Sequence, residues 1–276
     1  MKITKINNFL PFGAPDIGKD EINEVIKCLK SGWLGSGPKV KEFEKLFCEY
    51  KDVRNSLAVN SCTAAIFLAL KCLEIGPGDE VITTSMTFCS TVNSIIHTGA
   101  KPVLVDIIEN TSNIDPIKIK DKITSKTKAI IPVHFSGLMC EMDEIMSLAK
   151  RHNLYVIEDC AHAIESTYKN KKAGTFGDFG CFSFYATKNL VTGEGGMLIS
   201  NNDKYIDKCR KLALHGMSLD AWKRYGAAGY KHYSIDDAGY KFNMMDLQAS
   251  IGLHQLNKID KNWIKRKKIW DRYQQE

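Results

Sequence analysis

Between Ser56 and Asp159 the chain alternates short apolar runs with segments of helical period, and this alternation limits the possible folds more than any other feature. Ser56–Val59, Glu80–Thr84, Pro102–Asp106, Ala129–Val133 and Tyr155–Asp159 read as strands. Thr63–Leu73, Cys89–His97 and Met142–Arg151 read as helices from the spacing of their apolar residues. Asp115-Pro116 supplies an N-cap followed by proline at the first helical position, opening a helix to about Ile123. Strands alternating with helices in this way predict an α/β fold with a mostly parallel sheet. Ligands of such open sheets bind beyond the carboxyl ends of the strands. That selects Asn60–Thr63, Thr84–Phe88, His134 and Asp159–His162 as one rim.

The flanks are organised differently. Residues 1–18 look extended, punctuated by Pro11, Gly13, Pro15 and Gly18. Helical patterns over Lys19–Leu29 and Val40–Tyr50 enclose the glycine-rich loop Ser31–Pro38. Beyond Gly239 the character shifts. Tyr240–Asn243 leads into a helix over Met245–Leu256, and Asn262–Glu276 is still helical in pattern where the chain stops. The expected division is an extended segment 1–18, a large domain 19–245 and the start of a small C-terminal domain at 246–276.

Composition excludes several classes of function. Hydrophobic content of 44% with 25% charged residues is that of a globular chain rather than a disordered one. The net charge of +6 is spread out, apart from Lys261 and Lys265–Lys268. That cluster falls in a helical segment and reads as a solvated face, not a nucleic-acid patch. The nine cysteines are irregularly spaced and contain no C-x-x-C pair, which signals neither a disulfide framework nor a zinc site. A reducing compartment follows. No run reaches the length of a signal-peptide core or a membrane span, so the expected location is cytoplasmic.

The chemistry centres on Cys181–Met197, where a polar, glycine-rich turn carrying Lys188 joins two apolar runs. A lysine that is partly desolvated there has a lowered pKa and is a nucleophile toward an aldehyde; a solvated surface lysine is the plainer reading of this stretch alone. Asp159 ends an apolar strand, where an unpaired carboxylate is costly. It either caps the chain at Ala161 or pairs with a protonated pyridine nitrogen. Ser61, Cys62 and Thr63 stand between a strand and a helix, where free N–H groups and the helix dipole make a phosphate seat. Hydroxyls of Thr63 and Ser183 can add to that seat or act as local caps. Phe88 is a core residue or a ring that stacks on a flat cofactor, and His162 is an ordinary first-turn residue or a second such ring. Together the set specifies pyridoxal phosphate (PLP) better than any one member does.

The segments Val59–Ala65, Thr84–Phe88, Ile131–Gly137, Ile157–Ala163, Phe182–Asn189, Gly193–Gly196 and Gly239–Asn243 resemble the DegT-type sugar aminotransferases, in family order and at family-like spacing. The similarity runs from Leu10 to the end. Within the family, Phe12–Pro15, Ser31–Trp33 and His215–Trp222 look most like enzymes that aminate UDP-4-keto-pentose in lipid A modification. The resemblance implies PLP fold type I and a homodimer with active sites at the subunit interface. It makes Lys188 the lysine that carries the cofactor and Asp159 the partner of the pyridine nitrogen, with Phe88 and His162 against the ring. Ser61, Cys62, Thr63 and Ser183 would hold the phosphate, reached by Asn243 from the neighbouring subunit.

The implied reaction is a two-stage transamination from L-glutamate, through 2-oxoglutarate release, to the 4-keto (alternatively 3-keto) carbon of a nucleotide-linked sugar. Ser31–Gly37 and His215–Trp222 are expected to line the sugar pocket. Dehydrating relatives carry histidine in place of the cofactor lysine, and this chain has Lys188. Two departures stand out: Cys62 occupies a position where the family commonly has glycine or alanine, and relatives continue further into the C-terminal domain. The second raises an alternative, a truncated PLP-binding or regulatory relative.

Overall fold

Successive side chains of a strand point to opposite faces of its sheet, and in this chain they feed two separate cores. The computed structural model describes residues 9, 11, 13–218 and 234–275. A seven-stranded sheet runs in the order β1 (Asn55–Val59), β9 (Gly196–Ser200), β8 (Phe179–Ser183), β5 (Tyr155–Asp159), β4 (Thr127–Ile130), β2 (Glu80–Thr84) and β3 (Lys101–Val105). From β8 to β3 every pairing is parallel. Strand β9 is antiparallel to both β1 and β8, so it alone is reversed.

Leu57, Val59, Ile157, Cys181 and Leu198 pack toward α3 (Cys62–Cys72) and α7 (Asp203–Leu212). Their neighbours in sequence, Ala58, Val156, Phe182, Met197 and Ile199, pack toward α2 (Pro38–Lys51), α6 (Met142–His152) and α8 (Asp246–Asn257). Helix α1 (Lys19–Ser31) lies on α8, and α4 (Cys89–His97) lies on α3. Among the described residues no helix is long and apolar enough to cross a membrane.

The expected α/β architecture is present, with local differences. Strand β4 ends at Ile130 rather than Val133, because Pro132 has no N–H to continue the ladder; Val133 makes only an isolated bridge to Asp159. Helix α5 (Pro116–Lys120) starts at the predicted proline, with Asp115 capping Ile117, and stops three residues before Ile123. Phe184 and Tyr185 lie past the end of β8. A short hairpin, β6 (Thr167–Tyr168) with β7 (Lys171–Lys172), and helix α7 were not anticipated. Helix α9 (Ile259–Gln275) begins three residues before the expected Asn262.

One buried charge lies beneath the sheet. Lys51, the last residue of α2, is 1% exposed; its Nζ donates to the Ile164 carbonyl at 3.1 Å and sits 4.6 Å from the Phe182 ring centre. Burial lowers its pKa from 10.5 to about 8. Between those values the unfolded chain holds more of the proton, so this residue makes stability rise with pH across the window; below it, both states are protonated and the penalty is complete, about 3 kcal/mol. Lys51→Met is therefore expected to stabilise the fold by on the order of 1–2 kcal/mol at neutral pH, since the orphaned Ile164 carbonyl offsets part of the gain. The difference from wild type should shrink toward pH 10, which urea denaturation at the two pH values would check.

Candidate active site

The carboxyl ends of the parallel strands open onto one rim, and the reversal of β9 brings its amino end, Gly195 and Gly196, to the same rim. There a cavity of about 570 Å³ is lined from the turns after β1, β2, β4, β5 and β8. Eight of the nine expected site residues line it: Ser61, Cys62, Thr63, Phe88, Asp159, His162, Ser183 and Lys188.

Asp159 forms the floor. It shares a face of β5 with Ile157 and is 4% exposed. Its Oδ2 accepts from the Thr91 hydroxyl at 2.8 Å, and Thr91 lies 2.7 Å from the Thr87 hydroxyl. Its Oδ1 accepts from the Ala161 N–H at 3.1 Å, so the capping reading also holds. The backbone is gripped as well: the Asp159 N–H donates to the Pro132 carbonyl, and its carbonyl accepts from the His134 N–H. Thr91 was not picked out from the sequence, and no local pattern signals it.

Glu158 points to the opposite side of the sheet, where it is fully buried. Oε1 accepts from the Phe176 and Gly177 N–H groups at 2.7 and 2.9 Å; Oε2 accepts from Gly174 N–H at 2.9 Å and lies 3.0 Å from His134 Nε2. The Cys140 N–H donates to His134 Nδ1 at 3.2 Å, which puts the imidazole hydrogen on Nε2, toward Glu158. Burial alone would raise the Glu158 pKa, but these donors outweigh it and hold it below the usual carboxylate value.

Lys188 faces the cavity from a tight turn closed by its own N–H on the Tyr185 carbonyl. Its Nζ has no hydrogen-bond or ion-pair partner among the described residues. Burial lowers its pKa, and the nearby Cys62 and Asp159 restore only part. The His162 pKa is shifted down by burial and then by Lys188, against a smaller opposing pull from Asp159, and the net shift favours the neutral ring. Phe88 is 76% exposed at the start of α4, so the core reading fails and a free aromatic face stands at the cavity mouth.

Ser61 caps α3, its Oγ accepting from the Ala64 N–H at 3.1 Å. Its hydroxyl hydrogen is turned to Asn60, so the anion-binding capacity of this turn lies in the free first-turn N–H groups and in Thr63. Strand β9 passes so close that a Cβ on Gly196 would sit 2.5 Å from the Ser61 carbonyl carbon. Burial pushes the Cys62 thiol well above its usual pKa, leaving it neutral beside that seat. A helix-end anion seat, an anchored carboxylate, exposed flat rings and an unpartnered amine are the donor set that PLP requires.

Asn243 does not line this cavity. Its amide donates to Ser36 Oγ and accepts from Lys241 Nζ, both at 2.6 Å. The Ser31–Gly37 loop is likewise absent from the lining and is tied to Asp246, whose carboxylate accepts from the Gly37, Lys39 and Val40 N–H groups. Of the His215–Trp222 segment, also expected to line the sugar pocket, His215–Ser218 are absent from the lining and residues 219–222 lie outside the described residues.

Residues 15–276 match the DegT/DnrJ/EryC1/StrS aminotransferase family. The spore coat polysaccharide biosynthesis protein SpsC of Bacillus subtilis (strain 168) is 55% identical over 272 residues, covering 99% of this chain and 70% of SpsC. Among solved structures, the PLP form of Spr1654 from Streptococcus pneumoniae, assigned as a sugar aminotransferase, superposes with a TM-score of 0.88 at 38% identity, over 96% of this chain and 71% of that one. Helicobacter pylori PseC, an aminotransferase involved in the biosynthesis of pseudoaminic acid, gives 0.83 at 31% identity, over 91% and 66%.

Proposed function

The chain belongs to the DegT/DnrJ/EryC1/StrS aminotransferase family, PLP-dependent sugar aminotransferases of fold type I, and on that premise we propose that it transfers the amino group of L-glutamate to the C4 keto carbon of a nucleotide-linked sugar. The product is a nucleotide amino sugar destined for a cell-surface polysaccharide, and the working unit is a homodimer. The observation that carries this reading is the Lys188 amine, without a partner among the described residues, facing the same cavity as the anchored Asp159 carboxylate. The polysaccharide role named for SpsC supports the destination of the product.

PLP, when bound, supplies the aldehyde that carries the amino group and a ring that accepts electrons. Lys188 would attach the cofactor, and its lowered pKa suits its Nζ to take up and return a proton. Asp159, fixed by Thr91 and Ala161, keeps the ring nitrogen protonated. The first turn of α3, with Cys62 and Thr63, and Ser183 hold the phosphate, while Phe88 and His162 flank the ring. Asn243 of each subunit would reach the phosphate held in the other.

Reconstitution with PLP followed by L-glutamate alone should release 2-oxoglutarate in an amount matching the bound cofactor. Subsequent addition of a panel of nucleotide 4-keto-sugars should yield an amino sugar, identified by mass spectrometry. Bound PLP with no 2-oxoglutarate released would favour the alternative of a PLP-binding or regulatory relative.

A further inference from the structure

Lys188 stands between two cavities. Continuous with the first through His162, Ser183 and Thr187 lies a second space of about 290 Å³ whose own walls are Ser136, Ile164 and Asn189. We propose that this second cavity is the seat of the sugar ring; the inference rests on the transaminase reading above and names where its acceptor binds.

The size and lining of the cavity argue for a neutral polyol. At the lower end of ligand-pocket volumes it suits one monosaccharide ring and not a whole nucleotide sugar. Ser136 adopts the left-handed conformation (φ +52°) in the 3-10 turn Phe135–Gly137, and its hydroxyl finds no hydrogen-bond partner among the described residues. Asn189 donates its amide to Glu165 Oε2 at 3.0 Å, leaving its Oδ1 to accept from a ligand hydroxyl. Glu165 is in turn paired with Arg266, so the wall behind Asn189 is charge-balanced. Besides Lys188, which the chemistry occupies, no cation among the described residues lines the space. Among these walls the two carboxylates of a glutamate donor find no counter-charge, whereas hydroxyls find donors and acceptors in Ser136, Asn189 and Thr187.

The test separates the two half-reactions of the holoenzyme. Ser136→Asn fills the cavity with a residue that tolerates a positive φ, and Asn189→Leu removes the acceptor. With glutamate alone, 2-oxoglutarate release should stay within about twofold of wild type, because the donor does not use these groups. With dTDP-4-keto-6-deoxyglucose and UDP-4-keto-pentose as acceptors, kcat/KM should fall roughly tenfold or more in each variant. An unchanged sugar step in Ser136→Asn, or an equal loss in both half-reactions, overturns the assignment. If Asn189→Leu fails to bind cofactor, Ser136→Asn decides. Wild-type protein inert toward glutamate would instead overturn the transaminase reading itself.

Discussion

Lys188→Ala is expected to lose at least about 10³-fold in the rate of 2-oxoglutarate release from glutamate, because in the proposed function one side chain both attaches the cofactor and moves the proton. The amine is well placed for both tasks: it faces the cavity, has no hydrogen-bond partner among the described residues, and is biased by burial toward its neutral form. Cofactor binding should weaken without vanishing, since the α3 turn and Ser183 are untouched. The visible spectrum of the bound cofactor should change to that of the free aldehyde. Single-turnover release of 2-oxoglutarate, followed alongside that spectrum, checks both points. Turnover within tenfold of wild type would remove Lys188 from its assigned role.

The largest effect on stability is expected at Glu158. Its carboxylate, fully buried, collects three backbone N–H groups and the His134 imidazole from two loops on the far side of β5. Glu158→Ala strands all four donors, two of them in fully buried hydrogen bonds, which should cost about 3–5 kcal/mol. The held-down pKa gives a sign in acid as well. Below the usual carboxylate range the unfolded chain takes up protons that the folded one resists, so this contribution fades as pH falls through the folded pKa. Urea denaturation at neutral pH and in mild acid should find the gap between wild type and variant narrowing in acid. A neutral-pH loss below about 1 kcal/mol would mean that the loops hold without this carboxylate.

Much of this framework was legible from the chain itself. Strands β2 and β5 and helix α4 fall on their expected bounds, the strands from short apolar stretches beside turn residues and the helix from the spacing of its apolar residues. The rim followed from one rule about strand ends, and it correctly gathered the α3 turn, Phe88, Asp159 and His162. Strand direction was not legible: an apolar run such as Met197–Ile199 reads the same whether its neighbours are parallel or reversed. Nor was exposure at Phe88, since an aromatic residue beside a buried strand is core by default. The Thr91 bond to Asp159 joins two segments far apart in the sequence, and local pattern carries no trace of such a bond. The Glu158–His134 pair was hidden for the same reason.

The reversed strand has a mechanical consequence. Because β8 and β9 are neighbours, with Ser183 opposite Gly196, the reactive lysine rides at the tip of a hairpin clamped on both legs. The Phe184 N–H bonds the Gly195 carbonyl, and the Thr192 N–H bonds the Phe184 carbonyl. How far the amine projects is therefore counted in residues between two fastened points. Adding or deleting one residue there would leave the sheet standing and carry the nucleophile away from its target.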